Sequence, residues 1–159
     1  MTSSINPQIF REYDIRGIVG KDLTPDTVTS IGKAIGTYIK RSGGKTLVIG
    51  KDVRTSSEEF RKILSSALNS TGCDVIDIGM VPTPMTYFAL HHFKADGGVM
   101  ITGSHNPPEF NGFKISQGVH SLYGEKVQQL KKLIQANDFE TGNGNTKQQD
   151  VIGYYMDKI

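Results

Sequence analysis

The sequence has a single cysteine, no tryptophan and no long apolar run. One thiol excludes an internal disulfide and fits a reducing compartment, so Cys73 is consistent with the cytoplasmic location that we expect. No apolar stretch approaches the roughly 20 residues that a membrane-spanning helix needs. Residues 1–9 also lack the apolar segment of a signal peptide, so we expect no membrane partner.

The sequence also lacks a strong charge of either sign. Its 18 Lys and Arg residues against 16 Asp and Glu residues give a formal net charge of +2, and the basic residues are dispersed. A nucleic-acid-binding domain usually carries a basic patch or stripe, so we expect no nucleic-acid partner. With 159 residues, the chain has the size of one ordinary domain with a substantial core.

Short apolar strands alternate with amphipathic helices along most of the chain. Apolar spacing predicts strands at residues 45–49, 73–78 and 98–102, and helices at about residues 25–39, 56–68, 85–93 and 127–134. Residues 11–19 fit an edge strand or extended loop, and residues 113–116 fit a returning strand. This order predicts an α/β fold with three layers, α/β/α, in which helices cover both faces of a mixed, mainly parallel sheet.

Two of the predicted helices begin at recognisable capping patterns. Thr24 and Pro25 fit an N-cap followed by a proline in the first turn. Ser56 with Glu59 fits a capping box, in which each side chain bonds the other's backbone N–H. The sequence therefore predicts helix starts at these two points.

The composition changes after Asn137, and this change gives the predicted domain boundary. Residues 1–137 form the predicted domain. Residues 140–149 are rich in Gly, Asn, Thr and Gln without apolar periodicity, which is typical of a linker or an exposed loop. Residues 151–159 regain apolar side chains and are predicted to begin another element. We therefore interpret residues 138–159 as a linker and the start of a connection to a second domain.

A serine-containing turn follows the predicted strand that ends near Ile101. Ser104 lies among small and polar residues, and the turn is closed by residues 106–108, Asn-Pro-Pro, and 111–112, Asn-Gly. Open α/β sheets bind ligands beyond the carboxyl ends of their strands, which is where we expect Ser104, with its hydroxyl exposed. Outward backbone N–H groups and a nearby cation would suit a phosphate. Ser104 is therefore a candidate for holding or transferring a phosphoryl group.

Three motifs resemble signatures of one enzyme family, the α-D-phosphohexomutases. Residues 102–114, within the loop 101–114, read TGSHNPPEFNGFK and resemble the phosphoserine loop of the phosphomannomutase/phosphoglucomutase branch. Residues 10–17, FREYDIRG, resemble the family's FRxYDIRG signature, and residues 50–57, GKDVRTSS, are similar to its G-x-D-x-R-x-S-S turn. Three motifs in the family's order are more specific than a lone Ser-His pair. The resemblance implies domain I, the N-terminal domain, of a longer mutase.

The resemblance also implies a reaction and its partners. In this family, hexose 1-phosphate and hexose 6-phosphate are interconverted through a phosphoserine and a hexose 1,6-bisphosphate, which makes Ser104 the phosphoryl carrier. The implied metal is Mg²⁺, bound by Ser104 through its phosphate and otherwise by a second domain, with glucose 1,6-bisphosphate as activator. The implied partners are phosphohexose substrates and the remaining domains of the full-length chain, so we expect the isolated domain to be nearly inactive.

Two cations lie beside the phosphoserine loop by resemblance. A phosphoserine adds about −1.5 to −2 charges, and Arg16 and Lys114 are its predicted cationic neighbours. Lys114 is also a candidate for proton transfer, although simple charge pairing would use the same residue. His105 directly follows the carrier, and we interpret it either as a phosphate contact or as a structural residue of the loop.

Three further residues are candidate substrate or phosphate contacts. Tyr13 matches a family position near the active site, although a tyrosine packed under the loop would match equally. Asn106 is expected to shape the turn. Arg54 lies near a predicted helix N-terminus, which favours anions, but we favour a role in pinning the loop by hydrogen bonds over a phosphate contact.

Two other functions stay open on the sequence alone. A stand-alone, non-catalytic module that binds phosphosugar or phosphate would never form phosphoserine. A serine hydrolase would pair Ser104 with one of His91, His92 and His120, a constellation that is recognised by spatial geometry. The sequence does not distinguish mannose from glucose phosphates, while residues 108–114 are closer to the mannose/glucose branch than to glucosamine-phosphate mutases.

Overall fold

Apolar residues at helix and strand spacing form the regular elements of the chain. The computed structural model describes residues 5–118, 120–151 and 153. Within these ranges, the helices are a 3₁₀ helix Pro7–Ile9, α1 Pro25–Arg41, α2 Thr55–Ser70, α3 Thr83–His92 and α4 Glu125–Gln135. The strands are β1 Ile15–Ile18, β2 Thr46–Lys51, β3 Asp74–Met80, β4 Gly97–Ile101, β5 Phe110–Gln117, β6 His120–Ser121 and β7 Thr146–Gln148. None of these helices is long and apolar enough to cross a membrane.

The described strands form one sheet in the order β1-β5-β4-β2-β3-β7, with β6 paired to β5. Strand β2 pairs in parallel with β3 and β4, and β3 pairs in parallel with β7. Strand β5 is antiparallel to β1, β4 and β6, so it alone runs against the other described strands. The predicted mixed, mainly parallel sheet is confirmed, as are the edge strand near residue 15 and the returning strand.

Helices cover both faces of this sheet, as predicted. Leu47 and Ile49 of β2 point to one face and join an apolar core with residues of α1, α2 and α4. Val48 lies between them and points to the other face, where it packs with Met85, Leu90 and other residues of α3. Successive residues of a strand face opposite ways, so a strand buried on both faces needs an unbroken apolar run. The run in β2 therefore places a core on each side of the sheet.

One of the two predicted capping patterns is confirmed and the other is wrong. The Thr24 hydroxyl accepts a hydrogen bond from the Thr27 N–H at 3.2 Å, and Pro25 is in the first turn of α1. Helix α2 has Arg54 at its N-cap and no side-chain capping bond, so the capping box of Ser56 and Glu59 does not form. The Ser56 hydroxyl instead accepts a hydrogen bond from the side-chain amide of Asn111 in β5. This hydrogen bond takes the place of the predicted capping interaction.

The segment after Asn137 is exposed, as predicted, but part of it belongs to the sheet. Residues 146–148 form β7, which pairs with β3, so the predicted linker or loop is wrong at these positions. The N–H groups of Gly142 and Gly144 donate to the end of α2 and hold the preceding residues in place. Backbone hydrogen bonds form without apolar side chains, which is why the apolar pattern did not show this strand. The predicted element at 151–159 falls outside the described residues except at Val151 and Gly153.

Helices α1 and α2 approach each other at Gly32 and Gly36. A Cβ atom built on Gly32 would lie 2.6 Å from the Ala67 Cβ, and one on Gly36 would overlap the Thr71 hydroxyl. The Thr71 side chain is fully buried and donates to the Leu68 carbonyl at 2.7 Å, so it has little freedom to move away. The absence of side chains at the two glycines therefore sets the distance between the helices.

The variant Gly36→Ala should lower the free energy of unfolding. Alanine is the better helix former by about 1 kcal/mol, but overpacking a rigid core costs about 1–3 kcal/mol, so we expect a net loss of about 1 kcal/mol. Urea denaturation followed by circular dichroism measures this change. Ser66→Ala, at an exposed position of α2, is the control and should be neutral or slightly stabilising. A more stable Gly36→Ala variant would contradict the close approach.

Candidate active site

Ser104 lies on the loop that joins β4 to β5. Strand β4 lies between β5 and β2 in the sheet, and Ser104 follows its last residue, Ile101, by three positions. The residue is exposed and adopts a left-handed backbone conformation, with φ of 54°. An exposed serine just past the carboxyl end of an internal strand confirms the predicted location.

Hydrogen bonds within the loop fold it into a tight turn. The Ser104 N–H donates to the Thr102 hydroxyl at 2.9 Å, and the Asn106 N–H donates to the Gly103 carbonyl at 3.0 Å. The Asn106 side-chain amide donates to the same carbonyl at 2.9 Å, so Asn106 shapes the turn as expected. The sequence predicts backbone N–H groups that point outward at a phosphate. The N–H groups of Ser104 and Asn106 do not, because they donate to acceptors within the loop.

The Arg54 side chain lies against the loop and uses every donor that it has. Its Nε donates to the Asp52 carboxylate at 3.3 Å. Its two terminal nitrogens donate to four loop carbonyls, those of Pro107 (2.8 Å), Phe110 (3.0 Å), Ser104 (3.2 Å) and Asn106 (2.7 Å). A guanidinium has five N–H groups, and all five have partners here. The structure therefore favours the pinning role of Arg54 and leaves no N–H for the phosphate contact.

Asp52 accepts the hydrogen bonds that hold Arg54 and the loop together. It was not among the candidate residues that the sequence predicted. Its carboxylate accepts from the Ser57 hydroxyl at 2.6 Å, the Arg54 N–H at 3.1 Å and the Gly103 N–H at 3.0 Å. Burial alone would raise the pKa of Asp52, but these hydrogen bonds outweigh burial and lower the pKa below its usual range. The signal that could have identified Asp52 is its place in the GKDVRTSS motif.

Asn111 is a second residue that the sequence reasoning missed. It is fully buried at the start of β5, and its side-chain amide donates to the hydroxyls of Ser56 at 2.8 Å and Ser57 at 3.0 Å. A buried amide without partners would be costly, so these serines and Asn111 specify each other. The end of the loop is thereby tied to the first turn of α2.

The structure brings Arg16 and Lys114 onto one face of the sheet. In the register of β1 and β5, Arg16 lies opposite Gly112, and Lys114 is two residues further along β5. Opposite residues and residues two apart share a face, so the two cations are diagonal neighbours. The Arg16 guanidinium donates to the buried Asp14 carboxylate at 2.7 Å. The Lys114 ammonium is half-buried and has no ion pair within the described ranges.

The side chains of Tyr13 and His105 form no hydrogen bond or ion pair to the rest of the loop among the described residues. Tyr13 is 71% exposed, and its ring centroid lies 6.4 Å from that of Tyr123, so it is not packed under the loop. His105 is exposed beside Ser104. The hydrolase prediction needs a histidine bonded to Ser104, and none of the described histidines forms that hydrogen bond.

Comparison with known proteins identifies the family. A family model described as phosphoglucomutase/phosphomannomutase, alpha/beta/alpha domain I, matches residues 7–141. The chain belongs to the phosphoglucomutase/phosphomannomutase family. This result confirms the resemblance inferred from the three motifs, including its assignment to domain I.

Relatives and a solved structure agree with the family. The phosphomannomutase/phosphoglucomutase of Pseudomonas aeruginosa is 44% identical over 151 residues, which cover 95% of this chain and 33% of the relative. A phosphoglucomutase/phosphomannomutase family protein of Burkholderia thailandensis superposes with a TM-score of 0.93 and 41% identity, covering 98% of this chain and 36% of that one. The chain therefore spans about a third of the length of the curated relatives it matches.

One relative carries a different substrate name. The probable phosphoglucosamine mutase of Thermococcus gammatolerans is 45% identical over 131 residues, which cover 82% of this chain and 28% of the relative. That identity is as high as the identity to the Pseudomonas protein. Overall identity in domain I of this family therefore does not separate the hexoses.

The described part of this family member does not form a metal site by itself. No three His, Cys, Asp or Glu side chains in it cluster closely enough to hold an ion. Mg²⁺ prefers six oxygen ligands in octahedral array, and the described residues bring no such cluster of carboxylates together beside Ser104.

The variant Asp52→Asn should destabilise the protein most at neutral pH. Because the folded-state pKa is lowered, the stabilisation from the ionised carboxylate is present above the ordinary value of 3.8 and is lost as the pH falls through the folded-state pKa. We expect a deficit of about 1–2 kcal/mol near pH 7, since solvent partly screens the carboxylate. Urea titrations at several pH values should show this deficit shrinking below pH 3.8.

The matched control for this prediction is Asp138→Asn. Asp138 is an exposed carboxylate that pairs with Arg41 at 2.8 Å, and an exposed ion pair contributes little to stability. We expect its unfolding curve to stay close to that of the wild type. A deficit in Asp52→Asn that persists unchanged in acid would show that the charge of Asp52 is not what the hydrogen bonds require.

Proposed function

We propose that this chain is the phosphoserine-bearing domain of a mutase that interconverts hexose 1-phosphate and hexose 6-phosphate. The observation that carries the proposal is the exposed Ser104 hydroxyl on a loop that is fixed at the carboxyl edge of the sheet. The family of the chain supports it, because named relatives are phosphomannomutases and phosphoglucomutases. The proposed substrates are phosphohexoses, and the cytoplasm is the proposed location.

The proposed reaction exchanges one P–O bond for another. The Ser104 oxygen attacks the phosphorus of a hexose 1,6-bisphosphate in line, and the bond from phosphorus to one sugar oxygen breaks. The serine proton is removed, and the released sugar oxygen receives a proton. In the reverse transfer, the unphosphorylated C1 or C6 hydroxyl of a hexose monophosphate loses its proton and attacks the phosphoserine. The bond from phosphorus to the Ser104 oxygen breaks, and that oxygen takes up a proton. Besides the serine oxygen, the reaction needs groups that align the sugar phosphate for in-line attack and cations that stabilise the charge of the transferred group.

Lys114 is the proposed proton-handling group, and Arg16 the second cation. The phosphoserine would bring about −1.5 to −2 charges to the loop. Arg16 is neutralised in part by Asp14, whereas the Lys114 ammonium has no ion pair among the described residues. The Lys114 ammonium is therefore available to contact the transferred phosphoryl group. We assign His105 a contact to the phosphate, because it is exposed next to Ser104.

The rest of the proposed enzyme lies outside this chain. We propose that phosphorylated Ser104 would supply one ligand to Mg²⁺, which would stabilise the charge of the transferred group, and that the other ligands would come from other domains. The relatives are about three times as long as this chain, which leaves room for such domains. Glucose 1,6-bisphosphate is the proposed activator, since it would phosphorylate Ser104 directly.

Incubation of the proposed full-length enzyme that carries this domain with glucose 1,6-bisphosphate should add one phosphoryl group, at Ser104. Intact-mass measurement and peptide mapping detect the group and its position. Ser104→Ala should remain unlabelled because the attacking oxygen is gone. Ser42→Ala removes another exposed serine, at the end of α1, and should be labelled like the wild type. Label on a residue other than Ser104 would contradict the proposal, and saturable binding without any phosphoserine would favour the non-catalytic module.

The variants Lys114→Gln and Lys114→Arg test how the lysine acts. Loss of a general acid or base slows transfer by about 100-fold or more, and we expect Lys114→Gln to be labelled that much more slowly. Arginine keeps the charge but does not release its proton, so Lys114→Arg should also be slow. Lys126→Gln, an exposed residue of α4, is the control. Labelling of Lys114→Arg at the wild-type rate would instead indicate charge pairing without proton transfer.

A further inference from the structure

Four carbonyl groups of the serine loop converge on the guanidinium of Arg54. The carbonyls belong to Ser104, Asn106, Pro107 and Phe110, and the Arg54 side chain is only 16% exposed. The hydrogen bonds to Asn106 and Phe110 are partly buried, and an acceptor that is shielded from water without a donor is unfavourable. Arg54 supplies that donor at four places at once. The inward face of the loop is therefore built around one side chain.

The backbone of Ser104 is held in a conformation that serine rarely adopts alone. Its φ of 54° lies in the left-handed region, which is disfavoured for residues with a side chain. Its N–H donates to the Thr102 hydroxyl, and its carbonyl accepts from Arg54. Such conformations persist where the surroundings determine them. Arg54 fixes the peptide group that follows the proposed phosphoryl carrier.

The contact between Arg54 and the loop is too close for a side chain at position 103. A Cβ atom on Gly103 would overlap the Arg54 guanidinium. The same glycine donates its N–H to Asp52, whose carboxylate also accepts from the Arg54 Nε. Asp52 therefore orients the guanidinium and offsets its charge, which argues for a geometric role of Arg54 over direct phosphate binding.

We propose that Arg54 is a positioning residue that holds Ser104 in the geometry required for in-line phosphoryl transfer, a role that rests on the proposed function. Lysine cannot replace it, because an ammonium has three donors and no planar fork, whereas five acceptors are met here. Arg54 does not touch the substrate in this proposal. It acts through the backbone of residues 103–110.

The variant Arg54→Lys, made in the proposed full-length enzyme, tests this proposal with three measurements. Amide hydrogen exchange reports the order of residues 103–110, and labelling by glucose 1,6-bisphosphate gives a maximal rate and a half-saturating concentration. We expect faster exchange in the loop and a maximal rate lower by about 100-fold, since misplacing a reacting group by about 1 Å has an effect of this size. The half-saturating concentration should stay the same, because no substrate contact is lost.

The matched control is Arg41→Lys, and a second variant approaches the same contact from the loop. Arg41, like Arg54, forms several hydrogen bonds through its guanidinium: it donates three N–H groups to Asp138 and Glu140. Unlike Arg54, it is exposed at the end of α1. Its variant should be labelled like the wild type. The melting temperature of Arg54→Lys should lie within a few degrees of that of Arg41→Lys. Gly103→Ala displaces the guanidinium without altering Arg54 and should reproduce the slow labelling, which keeps the test available if Arg54→Lys does not fold.

Three outcomes would overturn the proposal. Unchanged hydrogen exchange in the loop of Arg54→Lys would show that Arg54 does not order it. A wild-type maximal rate despite a loosened loop would show that the order does not matter for transfer. A raised half-saturating concentration at an unchanged maximal rate would make Arg54 a phosphate ligand. A wild-type full-length enzyme that forms no phosphoserine is a different result, because it refutes the proposed function before Arg54 is tested.

Discussion

The ion pair of Asp52 and Arg54 is the constraint on which the serine loop depends. The carboxylate collects donors from α2, from the loop and from Arg54 itself, and the guanidinium then satisfies four loop carbonyls. Charged groups form stronger hydrogen bonds than neutral ones, so one pair can organise an otherwise irregular segment. The loop needs no apolar core of its own because its inner face is occupied by this pair.

The fold places this ion pair at the carboxyl ends of the parallel strands β2 and β4. Asp52 directly follows β2 and the loop follows β4, and these neighbouring strands are parallel, so both chains leave the sheet at the same edge. The Asp52 N–H donates to the Ile101 carbonyl at 2.9 Å, which joins the two strand ends. The edge therefore presents Ser104 outward while the groups that support it stay partly buried.

Sequence patterns predicted the layers and the position of Ser104, because both follow from local apolar spacing. Helix α1 is an example, since Val28, Ile31 and Ile35 repeat at helical spacing and all are buried. The support of the loop could not be predicted in this way. Asn111 meets Ser57 across 54 positions and Gly103 meets Asp52 across 51, and such polar pairs leave no periodic trace. The motif that contains Asp52 is visible in the sequence, but the partners of Asp52 depend on the tertiary structure.

Strand β7 protects an edge that would otherwise be open to other chains. Without it, β3 would expose a row of unpaired N–H and C=O groups, which is a template for intermolecular pairing. Its side chains, Thr146, Lys147 and Gln148, are polar and exposed, which discourages a further strand from adding beyond it. A recombinant fragment that stops at the compositional boundary near residue 137 would lose this shield, together with the core contacts of Phe139 and Val151. Such a fragment would be prone to aggregate through its exposed edge strand β3, even when folded.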